Sequence, residues 1–375
     1  MNKSSNKKLL NRKRIRALYL NKENYSTSTS SSIIKEKNEL KNNIDNNNIQ
    51  LFKKNPNFRF KQDILNSNDY TGFNDLFEVY LSIKDNNQYL ISPNSVNFNL
   101  DIISIKDIEI IKSLEGHKNH ITTIRYFTNN INEYLISADI NNIVIIWDIS
   151  NENIEKYSIK LKYSNWIYSC LLFFDIDFIY IITSCCGIGN TKVYIFNNKK
   201  IAFLKNIKNS KNKNIYYLLL WKNEKFDKNY IIEFCKEKIL IINIHNNNLY
   251  ANLISANSKD SCYMKGFLYN SNLISNTING VINKWDLYEK NLINSIYINN
   301  SIITNCIQWN EKYIILIDGK DNSMKIIDFL KRIVISNIYS QHEKGIICIK
   351  KFVHPIYGES LFSSGQDGYL KLWII

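Results

Sequence analysis

From about residue 51 onward, the chain alternates between short apolar runs and short polar turns. The runs are four to eight residues long and rich in β-branched and aromatic residues, as in 134–137, 143–147, 192–196 and 239–244. The turns between them are rich in Asn, Asp, Gly and Lys. Strands this short and evenly spaced are typical of a β-sandwich, a barrel or a propeller.

The spacing of large apolar residues decides among these three folds. One such residue ends the third strand of each recognisable unit. These residues are Trp147, Phe196, Trp285, Ile327 and Trp373, and the successive gaps between them are 49, 89 (two units), 42 and 46 residues. A repeat in the low to mid forties is that of propeller blades with four strands each. Counting strands predicts seven units, at about 76–114, 118–160, 165–206, 214–254, 261–298, 301–338 and 343–375.

The last unit supplies only three strands before the sequence stops two residues after Trp373. A sheet that stopped there would expose an unpaired edge, so the fourth strand is expected from elsewhere in the chain. Residues 57–65, with Phe58 and Phe60 alternating with basic residues, are the best candidate. The prediction is an all-β, seven-bladed β-propeller closed by an N-terminal strand.

The first 50 residues differ from the rest of the chain in composition. They are rich in Lys, Ser and Asn without a sustained period, which predicts a disordered extension before a propeller at 51–375. Residues 1–56 hold 13 Lys/Arg against 4 Asp/Glu, so they carry most of the net charge of +14. Nucleic-acid binding is therefore expected only through this basic tail.

Three segments share a closer pattern. Gly116-His117 precedes the run 135–148, His342 precedes the run 361–373, and the run 273–286 is a third match without a preceding His. These motifs resemble the WD-repeat (G-protein β-subunit-like) propeller family, in a divergent, protist-type form. The resemblance covers about 300 residues, and it implies a non-catalytic scaffold that mediates protein–protein interactions within a larger complex.

The resemblance also implies a structural tetrad in each blade. It joins a His before the first strand, a Ser or Thr on the second, an Asp in the following turn and the Trp of the third. One blade would use His117, Ser137, Asn141 and Trp147, with Asn in place of Asp. The last blade would use His342, Ser364 (or Ser363), Asp367 and Trp373. In the third match, Asn279 replaces the Asp.

The chemistry of an enzyme or a metal site is not indicated. His117 and His120 lie three residues apart on a loop without accompanying Cys or acids, so we expect no metal. Gly187 and Gly189 lead into a strand instead of the helix that a dinucleotide turn needs, and no nucleophile elbow or Walker loop occurs. We therefore expect no catalytic residues and no cofactor.

The remaining expectations concern compartment and partners. Seven scattered Cys without a CxxC pair indicate an intracellular protein, cytoplasmic by preference, while the basic tail leaves the nucleus or the mitochondrion open. The most apolar stretch, 166–186, contains Asp175 and Asp177, so no membrane span is expected.

Partner binding is expected at the propeller rim, where an exposed aromatic residue can act as a hot spot. Asn165 and Trp166, at the start of one blade, are the candidates. The alternative function is an RNA- or ribosome-associated subunit tethered by the basic tail. The sequence identifies neither a partner nor an oligomeric state.

Overall fold

The computed structural model describes residues 53–59, 76–94, 97–107, 109–129, 131–175, 178–185, 191–207, 214–255, 262–339, 342–367 and 369–374. For 53–59, Tyr369 and Ile374 it describes the backbone alone. The predicted disordered extension at 1–50 lies outside these residues.

The described part of the chain contains 28 strands and no helix. The first blade, with its preceding strand, comprises β1 Lys53–Arg59, β2 Glu78–Leu81, β3 Gln88–Pro93, β4 Leu100–Ser104 and β5 Glu109–Leu114. The second and third comprise β6 Ile121–Thr128, β7 Glu133–Asp139, β8 Ile143–Asp148, β9 Glu155–Lys160, β10 Ile167–Asp175, β11 Phe178–Cys185, β12 Lys192–Asn197 and β13 Lys200–Asn206.

The remaining strands complete the ring. The fourth and fifth blades comprise β14 Ile215–Asn223, β15 Lys228–Cys235, β16 Ile239–Asn243, β17 Leu249–Leu253, β18 Tyr263–Tyr269, β19 Asn272–Thr277, β20 Val281–Asp286 and β21 Asn291–Tyr297. The sixth and seventh comprise β22 Ile303–Gln308, β23 Tyr313–Asp318, β24 Ser323–Asp328, β25 Ile333–Tyr339, β26 Ile346–His354, β27 Gly358–Gly365 and β28 Tyr369–Ile374.

These strands form seven four-stranded antiparallel sheets. Blades 1 to 6 each use four consecutive strands, which we call a to d from the axis outward, beginning with β2. The a strands of neighbouring blades contact one another around the ring, including β2 with both β6 and β26. The predicted seven-bladed propeller is confirmed, and its blades match the predicted units.

Each blade presents an apolar surface to both of its neighbours. On β15, Tyr230, Ile232 and Phe234 pack with residues of blade 5, whereas Ile231 and Cys235 pack with residues of blade 3. Because successive side chains of a strand point to opposite faces, a strand between two sheets is apolar at most positions, with exceptions such as the buried Glu233 of β15. That is why the central strands read as continuous apolar runs in the sequence.

The abundant Asn residues have a role in the turns. Half of the described non-Gly residues with positive φ are Asn, namely Asn86, Asn142, Asn198, Asn247, Asn270, Asn300 and Asn322. Asn tolerates the left-handed conformation better than most residues, because its short polar side chain bonds the local backbone. Asn therefore supplies tight turns in a chain that contains only 11 Gly.

The ring closes through β1, which pairs antiparallel with β28 and completes blade 7. Its register runs from Lys53 opposite Ile374 to Arg59 opposite Tyr369, with an irregularity between Asn55 and Asn57. The predicted closure is therefore present, but the strand begins four residues earlier than the segment 57–65 that we expected. Residues 60–65 of that segment lie outside the described part.

Candidate functional site

Blade 2 contains a complete buried tetrad. The Trp147 indole N–H donates to Ser137 Oγ at 2.9 Å, and Ser137 Oγ lies 2.7 Å from His117 Nε2. His117 Nδ1 lies 3.0 Å from Asp139 Oδ2. One consistent direction of donation runs along the chain: Trp to Ser, Ser to His and His to Asp. Such a satisfied network joins the loop before strand a to strands b and c.

The acid of this tetrad is Asp139, so the prediction of Asn141 is wrong. Asp139 is the last residue of β7, and its carboxylate is fully buried against His117. Asn141 lies two residues further on, where its backbone N–H donates to Asp139 Oδ1 at 2.9 Å. The carboxylate thus bonds the His and also holds the turn, and the blade keeps its charged acceptor.

Blade 7 contains the second complete tetrad. His342 Nδ1 lies 3.0 Å from Asp367 Oδ1, and His342 Nε2 lies 2.8 Å from Ser363 Oγ. The Trp373 indole N–H donates to the same Ser363 hydroxyl at 2.8 Å. Of the two candidate serines, Ser363 and Ser364, Ser363 is therefore the tetrad member. Ser364 points to the other face of β27, where its buried hydroxyl has no hydrogen bond within the described part of the chain.

Other blades keep part of this network or replace it. In blade 5, Trp285 donates to Ser275 Oγ at 2.8 Å, and the Thr277 hydroxyl bonds Asn279 Oδ1 at 2.6 Å. In blade 3, the Tyr163 hydroxyl stands before strand a and lies 2.7 Å from Thr183 Oγ1. A tyrosine at the His position is a substitution that the sequence reading missed.

Blade 6 replaces the tetrad with an ion pair. Lys325 Nζ lies 2.6 Å from Asp318 Oδ2 and 3.2 Å from Asp321 Oδ2, and it donates to Ser301 Oγ at 3.1 Å. Asp318 ends β23 opposite Ile303, which is the register position of Asp139 opposite Ile121. Burial alone would raise the pKa of Asp318, but hydrogen bonds from Lys325, Ser301 and the backbone lower it below its usual value.

Close packing explains the glycine before the first tetrad His. A Cβ added at Gly116 would stand 2.7 Å from Cη2 of Trp147. The glycine therefore lets the loop lie directly on the indole ring, and the Gly-His pair and the Trp form one packed unit.

Two of these blades also match a known protein family. Residues 108–148 and 334–373 match the family described as WD domain, G-beta repeat, and each match ends at or next to its tetrad Trp. Two matched WD repeats within a seven-bladed propeller support the WD-repeat propeller family for this chain. The propeller of this family is generally a protein-interaction scaffold and typically non-enzymatic. A search of curated proteins found no match.

The predicted binding residues Asn165 and Trp166 lie in the turn between blades 2 and 3 of this WD-repeat propeller. We call the end with the d–a and b–c turns the top face, and the end with the a–b and c–d turns the bottom face. Trp166 is half-buried directly before β10, and its backbone N–H is held by Asn165 Oδ1 at 2.8 Å. The pair is therefore fixed on the top face beside the axis.

A second aromatic pair, which the sequence reading missed, occupies the top face of the adjacent blades. His120 stands directly before β6, as Trp166 stands before β10, and its ring meets Phe98 edge-on with centroids 5.2 Å apart. Phe98 has φ of 59°, a conformation that costs a bulky residue of the order of 1–3 kcal/mol. No turn motif around Phe98 signals this conformation in the sequence.

The side chains near the axis are polar and hold neighbouring blades together. The Arg125 guanidinium donates to Ser169 Oγ at 3.1 Å and to Leu218 O at 2.9 Å, and it lies 4.6 Å from the Tyr217 ring centre. Lys350 Nζ lies 3.1 Å from Glu78 Oε1 where blades 7 and 1 meet. These groups bond between blades, which is a structural role.

The described residues show no arrangement that indicates reactive chemistry. No group of three or more His, Cys, Asp or Glu in the described ranges could hold a metal ion. His117 and His120 have separate roles, the first in the tetrad and the second against Phe98. Complete burial raises the pKa of the Cys306 thiol to about 12, so this cysteine stays protonated.

Among the described residues, no helix is long and apolar enough to cross a membrane.

Proposed function

We propose that this WD-repeat protein is a non-catalytic scaffold that binds protein partners on its top face, at Phe98, His120, Asn165 and Trp166. The observation that carries the proposal is the set of half-buried aromatic side chains held at strand ends in three consecutive blades. Aromatic residues on a rigid support bury large areas at a low entropic cost, which is what binding hot spots require.

The backbone of Phe98 supports the same proposal. A positive φ at a phenylalanine persists only where surrounding contacts impose it, and such strain concentrates at functional positions. Backbone hydrogen bonds Phe98 N to Asn94 O (2.8 Å) and Asn94 N to Asn99 O (2.7 Å) impose it here. The turn therefore presents a fixed aromatic side chain beside His120.

The test is affinity purification of the tagged full chain from native cells, followed by quantitative mass spectrometry. We expect a reproducible set of proteins that Trp166→Ala and Phe98→Ala each reduce at least fivefold. Tyr297→Ala is the matched control, because Tyr297 is an exposed aromatic residue on the outer strand of blade 5. Equal recovery with Trp166→Ala and wild type would remove the top face as the partner site.

A second candidate function, an RNA- or ribosome-associated subunit, rests on the first 22 residues, which carry eight Lys/Arg and no acid. Binding through phosphates predicts affinity that falls steeply with salt. Filter binding of a mixed-sequence RNA to the full chain, between 50 and 200 mM salt, should show this slope if the tail contacts RNA. An affinity that does not change with salt would remove this candidate.

We also propose an intracellular location. It is supported by the six cysteines of the described part of the chain, five of them buried, which form no disulfide with one another. Imaging of the tagged protein in its own cells is the direct test, and secretion into the medium would contradict it.

A further inference from the structure

Two neighbouring turns of the top face hold an aromatic residue in the same way. Asn119 Oδ1 accepts the backbone N–H of His120 at 2.9 Å, and Asn165 Oδ1 accepts the backbone N–H of Trp166 at 2.8 Å. Each aromatic residue directly precedes the a strand of its blade, which is β6 in blade 2 and β10 in blade 3. The repeated Asn therefore fixes the backbone of both residues before a partner binds, which lowers the entropic cost of binding.

Lysines accompany both of these turns. Lys118 and Lys162 have exposed side chains, one in each turn. Lys192 begins β12 at the top end of blade 3, where its Nζ donates to the backbone O of Lys162 and lies 4.0 Å from the ring centre of Tyr163. The ammonium group of Lys192 is therefore held at the same turn as Trp166.

Positive charge is concentrated on this side of the top face. Blades 1 to 3 carry four lysines and one acid in their described top turns and at the strand ends beside them, apart from buried acids: Lys118, Lys160, Lys162, Lys192 and Glu115. Blades 4 to 7 carry four lysines and three acids on the same basis: Lys236, Lys238, Lys320, Lys344, Glu237, Asp321 and Glu343. The two sides of the top face therefore differ in charge, and the fixed aromatic residues lie on the basic side.

We propose that this side of the top face binds an acidic peptide segment of a protein partner. We call it the basic aromatic surface, and it comprises Phe98, Lys118, His120, Lys162 and Trp166. The inference rests on the proposed function, because it specifies the chemistry of the partner that the top face takes. Apolar side chains of the peptide pack on the aromatic residues, while its Asp and Glu carboxylates lie beside the lysine ammonium groups. The aromatic contacts supply affinity, and the complementary charge selects the partner.

The type of cation favours carboxylates over phosphates. The cations of the basic aromatic surface are lysines, whereas phosphate groups on peptides are generally bound by clustered arginines, whose guanidinium forks bond two oxygens at once. Lysines that are spread over two turns suit carboxylates that are spread along a peptide.

The arrangement of the rings favours a peptide over single-stranded nucleic acid. Nucleic acid of this kind stacks its bases on open aromatic faces. The rings of Phe98 and His120 meet edge-on with an angle of 79° between their planes, so one ring of the pair has a face covered by the other. A peptide side chain can pack on the remaining edges and faces without stacking.

The test is selection of peptides from a displayed library of random 12-residue sequences on the purified full chain. We expect Asp and Glu to be enriched at least twofold among the selected peptides relative to the starting library. Fluorescence anisotropy of the tightest labelled peptide should show an affinity that falls at least fivefold between 50 and 300 mM salt, because exposed charges are screened. Its counterpart with Asn and Gln in place of Asp and Glu should bind at least tenfold more weakly.

Double variants of exposed lysines locate the site. Lys118→Gln with Lys162→Gln should weaken binding of the selected peptide at least fivefold. Lys118→Arg with Lys162→Arg keeps the charge and should preserve the affinity. Lys236→Gln with Lys238→Gln is the matched control, since these lysines lie in the b–c turn of blade 4 and should change the affinity less than twofold. An equal loss in both Gln variants would overturn the assignment to blades 1 to 3.

The outcomes separate this inference from the proposed function. Selected peptides that lack acidic enrichment and lose binding with Trp166→Ala would reject the acidic partner and leave the top face as a binding site. Acidic peptides whose binding is unchanged by Trp166→Ala and by Phe98→Ala would reject both. Failure to select any peptide would overturn the inference alone. Tighter binding of a 12-nucleotide single-stranded RNA than of the peptide, reduced by Trp166→Ala, would assign the surface to nucleic acid.

Discussion

Gly365 occupies in blade 7 the register position that Asp139 occupies in blade 2. Asp139 lies opposite Ile121 in its sheet, and Gly365 lies opposite Ile346. In blade 2 the residue at this position supplies the carboxylate of the tetrad. In blade 7 the same position has no side chain, and Asp367 reaches into the vacated space from the turn. Two local sequences therefore place an acid at the same point beside a buried His.

The first prediction concerns Gly365→Ala. A Cβ at this position would stand 2.6 Å from Asp367 Oδ1 and closer still to His342 Nδ1, so the tetrad must shift. Overpacking of this kind costs about 1–3 kcal/mol. Urea unfolding should show this loss. Gly319→Ala is the control, since its nearest neighbour would stand at 3.5 Å, and a loss of equal size there would contradict the steric explanation.

The second prediction distinguishes Asp139 from Asn141. Asp139 Oδ1 accepts the backbone N–H groups of Asn141 and Ile143, while Oδ2 faces His117. In Asp139→Asn, keeping the turn bonds would turn an NH₂ group toward the ring N–H, so one buried donor loses its acceptor. The expected loss of unfolding free energy is about 1–3 kcal/mol.

Asn141→Asp is the matched variant. Asn141 is exposed at the turn, so we expect a change within about 0.5 kcal/mol. Thermal and urea unfolding of both variants provide the measurement. A greater loss of unfolding free energy for Asn141→Asp than for Asp139→Asn would indicate that position 141, and not Asp139, is the fourth member of the tetrad.

The third prediction concerns the dependence of stability on pH in blade 6. The pKa of Asp318 is lowered in the folded state, so its ionised form contributes stability above its ordinary value of 3.8. This contribution is lost as the pH falls through the lower, folded pKa. The difference in stability between wild type and Asp318→Asn should therefore be largest near neutral pH and shrink below about pH 4.

Lys325 provides the reciprocal variant. Burial alone would lower the pKa of Lys325, but Asp318 and Asp321 raise it, so its contribution is present at neutral pH and lost only above its raised pKa. Lys325→Met leaves the Asp318 carboxylate buried without its cation, which typically costs about 3–5 kcal/mol. Urea unfolding between acidic and neutral pH measures both variants. If the difference in unfolding free energy between Asp318→Asn and wild type does not change with pH, ionisation of Asp318 does not contribute to stability.

The repeat and the strand pattern were sufficient to predict the fold, because both follow from burial on two faces of every blade. The tetrad was harder to predict, since its acid comes from a strand end in one blade and from a turn in the other. Sequence spacing could have separated Ser363 from Ser364, because Ser137, Ser275 and Ser363 each precede their Trp by ten residues, and adjacent strand residues point to opposite faces. Phe98 and Tyr163 lack any local motif, and their roles appear only when distant turns meet in space.

The last prediction concerns the closing strand. Residues 53–59 are the only partner of the outer edge of β28 within the described strands, and the C-terminal residues of β28 include the buried Trp373. Replacing 53–59 by a Gly-Ser sequence of equal length should unpair that edge, lower the melting temperature and promote aggregation. The same replacement at 41–47 is the control, because it preserves chain length and leaves β1 intact. Size-exclusion chromatography and thermal unfolding provide the measurements. If both variants stay monomeric and melt as wild type does, blade 7 is stable with three strands, and the pairing of β1 with β28 does not hold the ring closed.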